Sequence, residues 1–113
     1  MHNAVVKDAI RGELKMPPSL PPAPATFTEG VASYEGGAKA LIEAVRAAPE
    51  SRLFETLDFF TGPGQMGRVP VREILWMMLM DSVHHRGQVS VYIRMTGGKV
   101  PSIYGPSADE PWT

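Results

Sequence analysis

The stretch of sequence that decides the fold runs from residue 80 to residue 88 and reads Met80-Asp81-Ser82-Val83-His84-His85-Arg86-Gly87-Gln88. Its polar side chains interrupt a helical run that is otherwise apolar. A buried polar group is costly unless it has a hydrogen-bond partner or binds a metal ion. We therefore expect these side chains to converge on a common target. We find no second stretch that resembles a chemical site.

The composition limits the classes of protein to consider. A chain of 113 residues allows one domain. Its 11 Lys and Arg residues and 12 Asp and Glu residues give a net charge of −1, which offers no electrostatic attraction for nucleic acid or an anionic membrane. Cysteine is absent, which excludes thiolate metal sites, a cysteine nucleophile and disulfides. Residues 1–16 lack the apolar segment of a signal peptide, and the longest apolar run, residues 74–80, is too short to span a bilayer. We expect a cytoplasmic protein.

Hydrophobic periodicity predicts three helices, which cover residues 2–12, residues 26–48 and residues 70–96. The second helix begins with a capping box formed by Thr26 and Glu29. Gly12 and Gly97 are typical residues for ending the first and third helices. The third helix is apolar on every face between Ile74 and Val83, which predicts that it is the buried central helix.

The remaining segments predict connections rather than further helices. Residues 16–25 form a proline-rich connector, and residues 99–113 form an irregular tail. Residues 53–60 are apolar and fit either a helical turn or an extended segment, and residues 61–64 fit a turn. The predicted class is all-α: a single up-down helical bundle over residues 1–113, with an irregular C-terminal tail.

The polar residues of the third helix fall into two pairs. Asp81 and His85 stand at positions i and i+4, so their side chains reach one point above the same helix face. His84 and Gln88 form a second such pair, rotated by about 100°. A carboxylate and an imidazole suit a divalent cation such as Zn, Ni, Mn or Fe, and His2 could complete a site of two histidines and one carboxylate. Alternatively, Asp81 accepts a hydrogen bond from His85 within a satisfied polar cluster, and His84 points to a neighbouring helix or a dimer partner.

Three neighbouring side chains are candidates for binding a substrate or supporting the metal ligands: Arg86, Gln88 and Tyr92. Arg86 either clamps an anionic substrate or pairs with an acid of the tail, Asp109 or Glu110. Gly87 costs the helix roughly 1 kcal/mol, so we expect the tail or another helix to pack closely there.

Two segments resemble the C-terminal signature of the DinB-like, damage-inducible helical bundle proteins. They are residues 84–94, His-His-Arg-Gly-Gln-Val-Ser-Val-Tyr-Ile-Arg, and residues 97–110, Gly-Gly-Lys-Val-Pro-Ser-Ile-Tyr-Gly-Pro-Ser-Ala-Asp-Glu. The resemblance implies a four-helix bundle, usually dimeric, that often holds a metal ion with three histidines. It also implies a relation to thiol-dependent transferases and isomerases, beside members with no assigned activity.

The chain departs from that family pattern in two places. Asp81 stands where many members have a histidine. The first family helix and most of the second have no counterpart, so we expect the chain to be incomplete at its N-terminus, with the histidine of the second family helix either at His2 or upstream. A bundle without that helix would expose an apolar face, which favours a homodimer.

We therefore expect a divalent-metal-dependent transferase or hydrolase that acts on a small molecule. Its metal ligands would be Asp81 and His85, with His84 and His2 as further candidates. The alternative is a non-catalytic, dimeric helical interaction module with a degenerate metal site. Both interpretations fit the sequence, which does not decide whether the chain is an enzyme.

Overall fold

The computed structural model describes residues 1–19 and 21–112 of the chain. Its elements are, in order, helix α1 (His2–Arg11), helix α2 (Phe27–Ala47), a 3-10 helix (Glu50–Phe54), strand β1 (Thr56–Gly62), strand β2 (Gln65–Pro70) and helix α3 (Val71–Met95). The three predicted helices are confirmed, with α3 beginning one residue after Pro70. Leu20 of the predicted connector and Thr113 of the predicted tail lie outside the described residues.

The prediction of an all-α, four-helix bundle was wrong, because β1 and β2 pair as an antiparallel hairpin. The hairpin aligns Leu57 with Val69 and Phe59 with Gly67. Phe59 is 6% exposed, whereas its neighbour Phe60 is 48% exposed, so the strand alternates between an inner and an outer face. Side chains of β-branched and aromatic residues that alternate in this way stabilise a strand rather than a helical turn.

The turn of the hairpin lies at Pro63 and Gly64, inside the segment that the sequence predicted to be a turn. Gly64 has φ 69°, in the left-handed region that favours glycine. A type II turn requires positive φ at its third residue and commonly has proline at its second, as Pro63 and Gly64 provide. The sequence thus identified the turn but not the two strands that it joins.

The predicted ends of the helices are confirmed by hydrogen bonds. The Thr26 hydroxyl accepts from the amide of Glu29 at 3.2 Å, and the Glu29 carboxylate accepts from the amide of Thr26 at 3.2 Å. Gly12 and Gly97 follow α1 and α3 with φ 73° and 78°. The amide of Gly98 donates to the carbonyl of Ile93 at 2.8 Å, which completes the glycine-ended cap of α3.

Residues 1–78 form one compact unit, whose core surrounds α1. On one side, Val5 and Ala9 pack in a cluster with Phe59, Val69 and Ile74. On the other side, a second cluster joins α1 to α2 and the start of α3, and it consists of Ile10, Ala44 and Val71. Because α1 is only 10 residues long, it depends on this packing for its stability.

Residues 79–113 form the second compact unit, which contains most of α3 and the tail. The tail is irregular, as predicted, and its backbone is held by side chains of its own. The Asp109 carboxylate accepts from the amide of Val100 at 2.9 Å, and the Glu110 carboxylate accepts from the amide of Ser102 at 2.7 Å. Asp109 also pairs with Arg94 at 3.1 Å, so Arg94, rather than Arg86, is the arginine that binds this acid.

The prediction that α3 is buried along its apolar centre was wrong. Val71 and Ile74 are fully buried, but Trp76 is 62% exposed and Leu79 is 52% exposed. Among the described residues of α3, full burial is therefore confined to the first turn. Among the described residues, no helix is long and apolar enough to cross a membrane.

Candidate metal centre

The centre of the candidate site is a pair of side chains one turn apart on α3. The imidazole Nε2 of His85 lies 3.6 Å from the carboxylate Oδ1 of Asp81. The regular helix produces this separation, since residues at i and i+4 stack on one face. The two side chains that the sequence predicted to converge therefore do so.

Gln88 contacts His85 rather than His84. Its amide Oε1 lies 2.9 Å from the Nδ1 atom of His85, a normal hydrogen-bond distance. The predicted pairing of His84 with Gln88 is thus replaced by one between positions i and i+3. His84 instead places its ring edge-on to that of His85, with 5.4 Å between the ring centroids. It is not part of the set of ligand atoms described next.

His2 supplies the third candidate ligand. One nitrogen of His2, one carboxylate oxygen of Asp81 and one nitrogen of His85 all lie within 4.8 Å of one another. A cluster of two histidines and one carboxylate could hold a divalent metal ion and leave coordination positions open. The sequence had named all three residues for this role, and it had also named His84.

The spacing of these atoms is close to what a metal ion requires. Ligand atoms at about 2.1 Å from a tetrahedral zinc ion lie about 3.4 Å apart. The Asp81–His85 separation of 3.6 Å meets this requirement almost unchanged. Any pair at the 4.8 Å limit would have to come closer by roughly 1.4 Å to bind the same zinc ion. The donor set fits a metal ion.

The site is open to solvent. The side chains of His85 and Asp81 are 53% and 41% exposed, so neither lies on a buried face of a central helix. An exposed site allows water or a small molecule to reach a metal ion directly. The other two residues predicted to bind a substrate, Arg86 and Tyr92, are also exposed on α3.

The sequence did not predict a cleft in the first unit. This cleft has a volume of about 290 Å³ and lies between α1, α2 and the connector, where Asn3, Lys7, Ser33 and Tyr34 contribute its polar lining. None of the predicted site residues lines it. These residue types are common on helix surfaces, so the sequence carries no signal that would have identified the cleft.

Fold and site together define a small, mainly helical protein with a hairpin and a candidate centre of two histidines and one carboxylate. The model of the DinB family matches residues 7–112, and the chain belongs to that family. An uncharacterized protein, YrdA of Bacillus subtilis (strain 168), is 33% identical over 79 residues. The alignment covers 69% of this chain and 44% of YrdA, so the chain spans less than half of that relative. No solved structure matches the chain.

Proposed function

We propose that the chain binds one divalent metal ion through His2, Asp81 and His85 and acts on a small molecule as a metal-dependent transferase or hydrolase. The observation that carries this proposal is the spacing of the three ligand atoms, within 4.8 Å of one another. Membership of the DinB family supports it, because the family resemblance implies a metal ion held by helical side chains.

The donor set narrows the choice of metal. Two imidazoles and one carboxylate suit Zn, Ni, Mn or Fe better than Ca or Mg, which prefer oxygen ligands. Bound there, the metal ion would supply Lewis-acid catalysis to a small molecule at its open positions. The protein's own contribution is to hold two ligands on one rigid helix face and to leave the site accessible from solvent.

The proposal is tested by metal binding to the chelator-treated protein, measured by calorimetry with Zn and Ni. We expect close to one equivalent to bind, and we expect His2→Ala, Asp81→Ala and His85→Ala each to weaken binding at least tenfold. His84→Ala is the matched control, since it removes the adjacent imidazole, and it should leave the affinity unchanged. Binding of less than one tenth of an equivalent, or equal losses in His84→Ala and His85→Ala, would contradict the proposal.

The second candidate is a non-catalytic helical interaction module that forms a homodimer. One observation favours it: His85 contacts both Asp81 and Gln88 of its own helix, as expected of a polar cluster that serves packing. Sedimentation of the metal-free protein measures its state of association. A dimer that persists without metal, combined with the absence of metal binding, would favour this candidate over the first.

A further inference from the structure

We propose that the cleft between α1, α2 and the proline-rich connector is a binding site for a small carboxylic acid with an apolar body, whose carboxylate pairs with Lys7. The cleft has a volume of about 290 Å³, close to the lower end of the roughly 300–1,000 Å³ that is typical of ligand sites. It is built by residues of the first unit alone. The inference goes beyond the proposed function, since none of the three candidate metal ligands lines this cleft.

Two contacts on one face of α2 border the cleft. A Cβ atom added at Gly37 would lie 3.4 Å from the Cβ atom of Asn3 on α1, and one added at Gly30 would lie 3.5 Å from the Cγ atom of Pro24 in the connector. The side-chain amide of Asn3 also donates to the backbone carbonyl of Tyr34 at 3.4 Å. Gly30 and Gly37 are two turns apart on the same helix face. The connector and α1 therefore approach α2 at separate points and leave a space between them.

The lining of the cleft combines apolar walls with a few polar groups. Prolines and alanines supply apolar surface, and the polar side chains are those of Asn3, Lys7, Ser33 and Tyr34. Ligand sites typically have this composition, in which the walls bind the body of the ligand and the polar groups fix its orientation. Among the described residues that line the cleft, Lys7 is the only charged one. An anionic ligand is therefore the one whose charge is complementary.

The surroundings of Lys7 favour a carboxylate over a phosphate group. The side chain of Lys7 is 29% exposed, and its ammonium group lies 3.3 Å from a carboxylate oxygen of Asp8. An ammonium group has three N–H donors, so it can bind Asp8 and a ligand at the same time. The charge of Asp8 repels an anionic ligand, and this repulsion is about twice as large for a dianion as for a monoanion. Lysine also lacks the forked donors with which arginine binds phosphate.

The test uses ¹H–¹⁵N correlation spectra of the whole, chelator-treated protein, with phenylacetate as the probe and phenylacetamide as its neutral counterpart of similar shape. We expect phenylacetate to cause saturable shifts of the amides of Lys7, Gly30 and Ser33, and phenylacetamide to bind about fivefold more weakly. Lys7→Gln should weaken the binding of phenylacetate about fivefold and leave that of phenylacetamide unchanged. Lys7→Arg should restore the preference for phenylacetate. The matched control is Lys39→Gln, which removes a lysine of α2 outside the cleft and should have no effect.

Equal affinity for the two probes, or equal affinity of wild type and Lys7→Gln for phenylacetate, would overturn the inference. Phe27 is 89% exposed and lines a neighbouring groove on α2 rather than the cleft. Loss of binding in Phe27→Ala would assign the probe to that groove and would also overturn the inference. Tighter binding of phenyl phosphate than of phenylacetate would contradict the choice of a carboxylate. Because the protein is free of metal and no candidate metal ligand lines the cleft, these outcomes are independent of the proposed function.

Discussion

Gly87 in helix α3 and Gly97 just after it differ in backbone conformation, although a side chain would find open space at either position. Gly87 lies inside the helix, and Gly97 follows the helix with φ 78°. Apart from its chain neighbours and the backbone of its own helix, a Cβ atom at either position would have no atom within 4 Å. The expected close packing against Gly87 is therefore absent from the described residues. The change in stability on substituting either glycine should therefore reflect only the conformational preference of the backbone.

We expect Gly87→Ala to stabilise the protein by up to about 1 kcal/mol, because alanine loses less conformational entropy in a helix than glycine. We expect Gly97→Ala to destabilise it by about 1–2 kcal/mol, because an L-residue is strained in the left-handed region. Urea unfolding followed by circular dichroism measures both changes. A destabilising Gly87→Ala would show that another chain or segment packs against this face of α3.

At the scale of residues, the sequence predicted the ligands better than their partners. The i, i+4 spacing of Asp81 and His85 determines their proximity in any helix, so that contact was predictable. Gln88 is close to both His84 and His85 along the helix, and only the side-chain rotamers decide between them. The inclusion of His2 depends on tertiary packing. It was predicted because the chain has few histidines, rather than from any local pattern.

The hairpin is the element that most distinguishes the structure from the predicted helical bundle. Side chains along β1 alternate between an inner and an outer face, and two adjacent phenylalanines can test this alternation. Phe59 packs with Val5, Val69 and Ile74 in the first core cluster, whereas Phe60 is 48% exposed. We expect Phe59→Ala to lower the free energy of unfolding by about 3 kcal/mol or more. We expect the matched control Phe60→Ala to change it by less than about 1 kcal/mol.

Thermal and urea unfolding of the two variants give the comparison directly. Equal losses would mean that the strand register differs by one residue, since such a slip exchanges the inner and outer faces.

The sequence left strand β1 undecided between a helical turn and an extended segment. Phe59 and Phe60 are both apolar, so the sequence does not show the alternation of apolar and polar residues that is typical of a strand. Helix α2, by contrast, begins with a capping box and has apolar residues at helical spacing along its length. Its bounds were therefore predictable to within a residue or two.

At the scale of the whole molecule, metal binding and folding stability are linked. A metal ion that binds only the folded protein raises the free energy of unfolding by RT ln(1 + [M]/Kd), which is about 2.7 kcal/mol at 100 times Kd. The proposed ligands include two imidazoles, and each must be neutral to coordinate. Protons therefore compete with the metal, and the added stability must fall as the pH falls.

We expect zinc to raise the melting temperature clearly at mildly alkaline pH and by less as the buffer is made acidic, because protons compete with the metal ion for the imidazole nitrogens. Differential scanning fluorimetry with and without zinc, at matched ionic strength, measures the shift at each pH. The control is His85→Ala, in which zinc should have little effect at either pH. A zinc-induced shift that is the same at both pH values, or that persists in His85→Ala, would mean that the metal binds through surface carboxylates instead of the proposed histidines.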